Sequence, residues 1–179
     1  MGSETKIEWT HHSWSPWHGC AKVSPGCANC YAEAGSVRNP SVLGVWGKDG
    51  TRVVSRSWDK PLMWDRAAAK AGERRRVFPS LCDVFEDRAE LVEPRAAFLR
   101  LMHGTPSLTW LVLTKRPENV VRLIRASLDA WPTRANGKKR DAAYWYAADW
   151  INGKPPANVW LGVSVEDQQR ADERIPILL

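Results

Sequence analysis

The sequence contains no apolar run near the roughly 20 residues that a membrane-spanning helix needs. Its first residues, Met1 to Trp9, lack the apolar segment of a secretory signal. Gly2 follows Met1, but Lys6 occupies the position where a myristoylation motif requires Ser or Thr. We therefore expect a soluble, cytoplasmic protein with no membrane partner.

The 179 residues are not poor in hydrophobic side chains, and neither sign of charge is in large excess. Charged residues make up 26% and hydrophobic residues 44%, which excludes a disordered tail and a coiled coil. The formal net charge is +6 and arises from positions 115–140, where eight basic residues face only Glu118 and Asp129. Such a stretch can bind phosphates. We favour a solvated face, because no nucleic-acid-binding motif accompanies it.

Phenylalanine and tyrosine are scarce, with three of each, whereas tryptophan is abundant, with 11. A tryptophan buries roughly 200 Å², so we interpret most of these side chains as core. The alternative is that they form stacking platforms for bases or another flat ligand.

Patterns typical of strand, loop and helix alternate along the chain. Positions 108–113 form a nearly continuous apolar run, as expected of a parallel strand covered on both faces. Further strands are predicted before the first cysteine, over 77–82 and over 159–163, with helices between them. This order predicts an α/β fold with roughly four parallel βα units.

Four βα units do not close a barrel, which needs upwards of roughly 200 residues. The chain stops in an apolar segment at the apparent start of a helix. We therefore expect residues 1–179 to be a single, C-terminally truncated domain. Residues 134–157 are basic and then aromatic, and we interpret them as an insertion.

Polar residues follow each predicted strand. Chemistry in parallel α/β folds gathers at the carboxyl ends of the strands, so these residues are candidate ligands. They are the Cys20 loop, Ser80 with Asp83, then Thr114, Lys115 and Arg116, and finally Ser164 with Glu166. Asp83 and Ser164 also stand where a helix N-cap is expected. For Asp83 we favour the cap.

Three of the four cysteines lie within eleven residues, with the spacing C-x6-C-x2-C: Cys20, Cys27 and Cys30. Disulfides are not expected in a cytoplasmic chain, so this three-cysteine motif indicates a metal centre. Structural zinc needs four ligands, and His11, His12 or His18 would supply the fourth. An iron–sulfur cluster held by three cysteines keeps one iron open. The spacing alone favours neither. The fourth cysteine, Cys82, is expected to be a small buried hydrophobe.

Seven segments resemble, in order, a phage-associated family of three-Cys-motif proteins of the radical S-adenosylmethionine (radical SAM) kind. They are KIEWT at 6–10, WSPWHGC at 14–20, KVSPGC at 22–27, NCYAE at 29–33, DVFED at 83–87, LTKRPEN at 113–119 and NVWLGVSVEDQ at 158–168. The resemblance runs nearly end to end. Most radical SAM proteins space the cysteines C-x3-C-x2-C, so the first gap is longer here.

The resemblance implies a partial (β/α) barrel of the radical SAM type, with a [4Fe–4S] cluster held by Cys20, Cys27 and Cys30. S-adenosylmethionine would bind the fourth iron, and an electron donor would drive its cleavage to methionine and a 5′-deoxyadenosyl radical. We expect the cofactor to contact some or all of Tyr31, Ser80, Thr114, Lys115, Arg116, Ser164 and Glu166.

The resemblance leaves the substrate undefined, and the sequence does not indicate an oligomeric state. A phage-linked family with a basic segment makes nucleic acid or a nucleotide our hypothesis for the substrate. The alternative function is a zinc-stabilised, non-catalytic nucleic-acid-binding module that uses residues 138–140 and exposed tryptophans.

Overall fold

The computed structural model of the protein describes residues 5–131 and 140–179. The strands are β1 (His12–Ser13), β2 (Trp17–His18), β3 (Val53–Val54), β4 (Arg75–Phe78), β5 (Leu108–Thr114) and β6 (Val159–Val163). The helices are α1 (Tyr31–Arg38), α2 (Pro40–Leu43), α3 (Asp59–Ala71), α4 (Val92–His103), α5 (Val120–Asp129), α6 (Ala142–Ile151) and α7 (Gln168–Leu178).

A four-stranded sheet organises the chain in the order β1-β4-β5-β6. All three pairings within it are parallel. Helix α4 connects β4 to β5, and α5 and α6 lie between β5 and β6. The predicted α/β class with four parallel strands is confirmed. β2 and β3 form a separate antiparallel pair within the long connection from β1 to β4.

Local sequence explains most of the element boundaries. α3 ends at Gly72, whose φ of 67° is the left-handed conformation of a C-cap. α5 is strongly amphipathic and buries Leu123, Ile124 and Leu128 on one stripe. Asp141 caps α6 by accepting a hydrogen bond from the backbone N–H of Tyr144 at 2.8 Å.

The helix that follows the three-cysteine motif begins only at Tyr31, because a 3-10 turn over Pro25–Cys27 precedes it. One predicted boundary is wrong. The strand predicted over 77–82 is β4, which ends at Phe78. Pro79 follows it and has no N–H to continue the ladder.

The core lies against the sheet face that carries Val77, Trp110 and Val112. The ring centroids of Trp110 and Phe98 are 4.9 Å apart, and those of Trp110 and Trp14 are 6.0 Å apart. Six of the 11 tryptophans are buried, so the core interpretation is confirmed for most of them.

The opposite face of the sheet is apolar and open in the described part of the chain. Phe78, Leu113 and Trp160 carry this face, and Trp9 packs on Phe78 with ring centroids 4.6 Å apart. Together with their neighbours they line an open groove of about 380 Å³. Trp9 is 48% exposed and Trp160 is 64% exposed.

The segment interpreted as an insertion, 134–157, lies only partly within the described residues, which resume at 140. Its α6 packs against α4 and α5. Ala147 and Trp150 of α6 belong to the hydrophobic core. Among the described helices, none combines the length and the apolar character needed to cross a bilayer.

Candidate functional site

The three motif cysteines, Cys20, Cys27 and Cys30, line one cavity of about 170 Å³, which we call the cysteine cavity. It lies at the carboxyl edge of the parallel sheet, where parallel α/β folds place their sites. Six of the seven candidate cofactor ligands line it as well: Tyr31, Ser80, Thr114, Lys115, Arg116 and Ser164. Residues separated by more than 140 positions in sequence therefore meet in one place.

Sheet pairing brings the strand ends together. Ser164 continues the β6 pairing by donating its backbone N–H to the carbonyl of Thr114 at 2.9 Å. Tyr31, the first residue of α1, donates its hydroxyl to the carbonyl of Ser80 at 2.6 Å. The side chain of Tyr31 therefore ties the three-cysteine motif to the end of β4.

Glu166 lies beside the cysteine cavity rather than in its described wall. Its carboxylate accepts hydrogen bonds from the backbone N–H of Gly26 at 3.3 Å and from the Arg174 guanidinium at 2.9 Å. A Cβ on Gly26 would lie 2.8 Å from the Glu166 carboxyl carbon. Glu166 thus links α7 to the segment between β2 and α1, residues 19–30, which we call the cysteine loop.

The N-cap interpretation of Asp83 and Ser164 is wrong. α4 has Leu91 at its N-cap, and α7 has Asp167 there. Asp83 is instead a buried acceptor for four donors. They are the Thr114 hydroxyl at 2.7 Å, the Arg116 guanidinium at 2.8 Å, and the backbone N–H groups of Phe85 and Lys115, each at 3.0 Å.

Arg116 connects this acceptor to the first cysteine. One terminal nitrogen donates to Asp83 at 2.8 Å and reaches Cys20 Sγ at 3.5 Å, and the other donates to the carbonyl of Ala21 at 2.8 Å. Burial lowers the pKa of Arg116, but its ion pair with Asp83 and its hydrogen bond to Cys20 help to raise it above the ordinary value. The guanidinium is therefore charged and already has partners.

A second buried ion pair holds the same loop from the other side. Arg52 Nε donates to Glu86 Oε2 at 2.7 Å, and both side chains are nearly inaccessible to solvent. Glu86 Oε1 accepts the backbone N–H of Ala21 at 3.1 Å. Because Arg116 holds the carbonyl of Ala21, both backbone groups of the residue after Cys20 are fixed. We call Arg116–Asp83 and Arg52–Glu86 the two clamps.

Gly19, directly before Cys20, provides the backbone conformation that brings the chain to these clamps. Its φ is 117°, outside the range that L side chains adopt readily. A Cβ there would lie 2.8 Å from the carbonyl oxygen of Thr51. Only glycine brings the chain past Thr51 without strain.

Cys82 lies at the cysteine cavity, a position that its sequence context did not predict. As expected it packs against the core, but it also lines the cysteine cavity. Burial raises the pKa of its thiol well above the ordinary value. Its place just after β4, at the edge where the other strand ends meet, was the available signal.

Burial also raises the pKa of Cys20, to about 11, against the opposing positive charge of Arg116. The thiol is therefore protonated at neutral pH in the absence of a bound cation. A metal or cluster would displace this proton, because the thiolate is the ligand form.

A zinc ion and an iron–sulfur cluster place different demands on these sulfurs. Zn–S bonds of about 2.3 Å require the ligand sulfurs to lie about 4 Å apart, whereas cluster cysteines each bind a different iron. Within residues 5–131 and 140–179, no three His, Cys, Asp or Glu side chains converge enough to hold one metal ion.

The histidines considered as a fourth zinc ligand lie elsewhere. His11 and His12 line a different cavity, with Glu73 and Arg75, and His18 Nδ1 lies 3.0 Å from the carbonyl oxygen of Val42. None of the three histidines lines the described wall of the cysteine cavity. The three cysteines that line the cavity are the kind of ligand that an iron–sulfur cluster takes.

A larger cavity of about 540 Å³, lined mostly by charged residues, adjoins the first and shares Val23, Lys115 and Arg116 with it. The basic stretch 115–140 therefore contributes its first two members to the site. Arg122 pairs with Asp87 in solvent. Of the basic residues 138–140, the first two lie outside the described residues, and the Arg140 guanidinium lies 5.5 Å from the ring centroid of Tyr144 and 5.6 Å from that of Trp145.

A family model described as "Protein of unknown function (DUF5131)" matches residues 4–179. The chain belongs to the DUF5131 family. No curated protein and no solved structure matches it. For this DUF5131 chain, the functional argument therefore rests on the cysteine cavity and on the residues around it.

Proposed function

We propose that this protein is a radical SAM-type iron–sulfur protein that cleaves S-adenosylmethionine reductively to modify a substrate. The observation that carries this proposal is the shared cavity. Three cysteines and six of the seven candidate cofactor ligands line the same space. They come from the segment between β2 and α1, from the start of α1 and from the ends of three parallel strands, β4, β5 and β6. A constellation built from separate strand ends is typical of a catalytic site in a parallel α/β fold.

We assign separate roles to the cysteines and to Lys115. Cys20, Cys27 and Cys30 would hold three irons of a [4Fe–4S] cluster and leave the fourth iron for the amino and carboxylate groups of S-adenosylmethionine. When bound, the cluster supplies the electron that cleaves the sulfonium. Lys115 brings a positive charge to the cavity wall, where a charge-assisted bond to the cofactor carboxylate would form.

The hydroxyl groups at the strand ends supply orientation. Ser164 lies in the cavity wall with its backbone N–H held by Thr114, and it would bind a ribose hydroxyl or the amino group. The guanidinium of Arg116 is engaged with Asp83, Ala21 and Cys20. We therefore assign the cofactor carboxylate to Lys115 in preference to Arg116.

We further propose that the sheet is part of a (β/α) barrel. Two observations support this: the core covers one sheet face, and the other face, with Phe78, Leu113 and Trp160, is apolar and open. In a barrel the inward face of the strands is packed with apolar side chains. The cysteine cavity shares Phe78 and Leu113 with this face.

Anaerobic reconstitution with iron and sulfide tests the proposal. We expect about four irons per chain, a brown absorbance and, with dithionite, conversion of S-adenosylmethionine to 5′-deoxyadenosine. Cys27→Ala removes one proposed ligand and should lose most of the iron and all cleavage. Cys82→Ala makes the same change at the fourth cysteine of the cavity and should retain both the iron and the cleavage of S-adenosylmethionine.

Stoichiometric zinc without iron after reconstitution would overturn the proposal in favour of the zinc-stabilised module. Equal loss of iron in Cys27→Ala and Cys82→Ala would mean that four cysteines close the site, which leaves no open iron for S-adenosylmethionine. Far-ultraviolet circular dichroism of each variant separates lost ligation from lost folding, because a structural metal is needed for the fold itself.

A further inference from the structure

Arg116 is the one guanidinium in the described chain that hydrogen-bonds to a motif cysteine. Its terminal nitrogen lies 3.5 Å from Cys20 Sγ, and the same nitrogen donates to Asp83 at 2.8 Å. The other terminal nitrogen donates to the carbonyl of Ala21. The residue is 6% exposed, so its orientation is set by protein partners rather than by solvent.

The arrangement around the other two cysteines differs. Cys27 closes the 3-10 turn and Cys30 precedes α1, and no hydrogen bond to either sulfur is seen among residues 5–131 and 140–179. The Lys22 ammonium lies near Cys27 and Cys30, but it pairs with Glu33 at 2.9 Å and is 53% exposed. The buried guanidinium of Arg116 instead hydrogen-bonds directly to the Cys20 sulfur. The ion pair with Asp83 fixes its direction, because Asp83 is itself held by Thr114 and Lys115.

We propose that Arg116 is a positioning residue that tunes the reduction potential of the cluster through its N–H···S bond to Cys20. This inference rests on the function proposed above and deepens it. Hydrogen bonds to ligand sulfurs and the net charge near a cluster set its potential. A donor and a positive charge beside Cys20 stabilise the reduced, more negative cluster, and so raise the potential.

The low accessibility of the site strengthens this effect. Charges interact more strongly where water is excluded, and the Arg116–Asp83 pair has side-chain exposures of only 7% and 9%. The potential shifts by the amount by which this hydrogen bond and charge favour the reduced cluster over the oxidised one. We expect their loss to change the reduction equilibrium at least tenfold, which is about 59 mV for a one-electron couple.

The test is a redox titration of the reconstituted protein with dithionite, followed by electron paramagnetic resonance. We expect Arg116→Gln to lower the potential by at least this tenfold step. Arg122→Gln is the matched control: it removes a guanidinium that pairs with Asp87 in solvent, with exposures of 55% and 56%. It should leave the potential unchanged.

Arg116→Lys keeps the proposal testable if Arg116→Gln does not fold. Lysine retains the charge and can still pair with Asp83, but one ammonium cannot reproduce the planar fork that reaches Asp83, Ala21 and Cys20 together. We expect a smaller shift in the same direction.

The outcomes separate this inference from the proposed function. A full complement of iron with an unchanged potential in Arg116→Gln, or in Arg116→Lys if only that variant folds, overturns the tuning role and leaves the cluster in place. Absence of iron in the unaltered protein overturns both.

Discussion

Asp83 is the buried hydrogen-bond acceptor that holds Thr114, Lys115 and Arg116 at the cysteine cavity. It accepts from Thr114, Arg116 and two backbone N–H groups, and it is 6% exposed. A buried carboxylate with this many donors cannot be replaced without stranding its partners. Asp87, four residues later, offers a contrast because its pair with Arg122 is exposed to solvent.

Replacing these two aspartates by alanine measures the difference. Asp83→Ala leaves the Arg116 charge buried and unpaired, so we expect a loss of about 3–5 kcal/mol in the free energy of unfolding. Asp87→Ala removes an exposed pair and should cost less than about 1 kcal/mol. Urea denaturation of the apoprotein measures both values, and similar costs would show that Asp83 is not the centre of a buried network.

Residue types and local order predicted part of this site. Cys20, Lys115 and Ser164 could be placed at one edge from sequence, because the carboxyl ends of parallel strands meet there. The role of Asp83 could not, since an Asp just after a strand suits an N-cap and a buried acceptor equally well. The clamp by Arg52 was also beyond reach, because no local pattern links it to Glu86, 34 positions away.

At the scale of elements, the cysteine loop is held by its ends rather than by regular structure. Gly19 adopts the backbone conformation that the loop needs directly after β2. The two clamps hydrogen-bond to both backbone groups of Ala21, and the Glu166 carboxylate accepts the backbone N–H of Gly26. The segment contains one 3-10 turn, over Pro25–Cys27. Its shape therefore depends on contacts with residues that flank β3, β5 and α7, and a change at either end of the loop should alter the positions of the cysteines.

Gly19→Ala tests this dependence. The new Cβ would meet the Thr51 carbonyl at 2.8 Å in a backbone conformation that disfavours side chains, so we expect a cost above about 2 kcal/mol and reduced iron loading. Gly153→Ala is the control. Gly153 also has a positive φ, 78°, but a Cβ there meets nothing within 4 Å, so its cost should be about 1–2 kcal/mol with iron loading unchanged. Thermal denaturation and iron analysis give both readouts, and normal iron loading in a folded Gly19→Ala protein would contradict the argument.

At the scale of the whole molecule, the sheet is asymmetric. One face is packed by helices and buried tryptophans, and the other exposes Phe78, Leu113 and Trp160 in an open groove. Exposed apolar surface of this kind commonly marks a place where something else packs. The alternation along β5 from buried Val112 to exposed Leu113 had no counterpart in the sequence, where both residues are equally apolar.

The open face should bind a hydrophobic dye. We expect Trp160→Ser to remove most of the fluorescence of bound anilinonaphthalene sulfonate, because Trp160 stands in the groove and is 64% exposed. Trp145→Ser changes a tryptophan of similar exposure, 51%, on α6 and should have little effect. If the two variants reduce dye binding equally, the groove is not the binding surface.

The two clamps also imply an order in which the parts of the cysteine loop and its partners are made and assembled during synthesis. Ala21 is held by Glu86 and Arg116, which follow it by 65 and 95 positions. The three cysteines thus leave the ribosome well before the side chains that arrange the first of them. A nascent chain would present loose thiols until β5 has been made and paired. Delivery of the proposed cluster would then follow assembly of the sheet, and the thiols would have to stay reduced and metal-free in the interval.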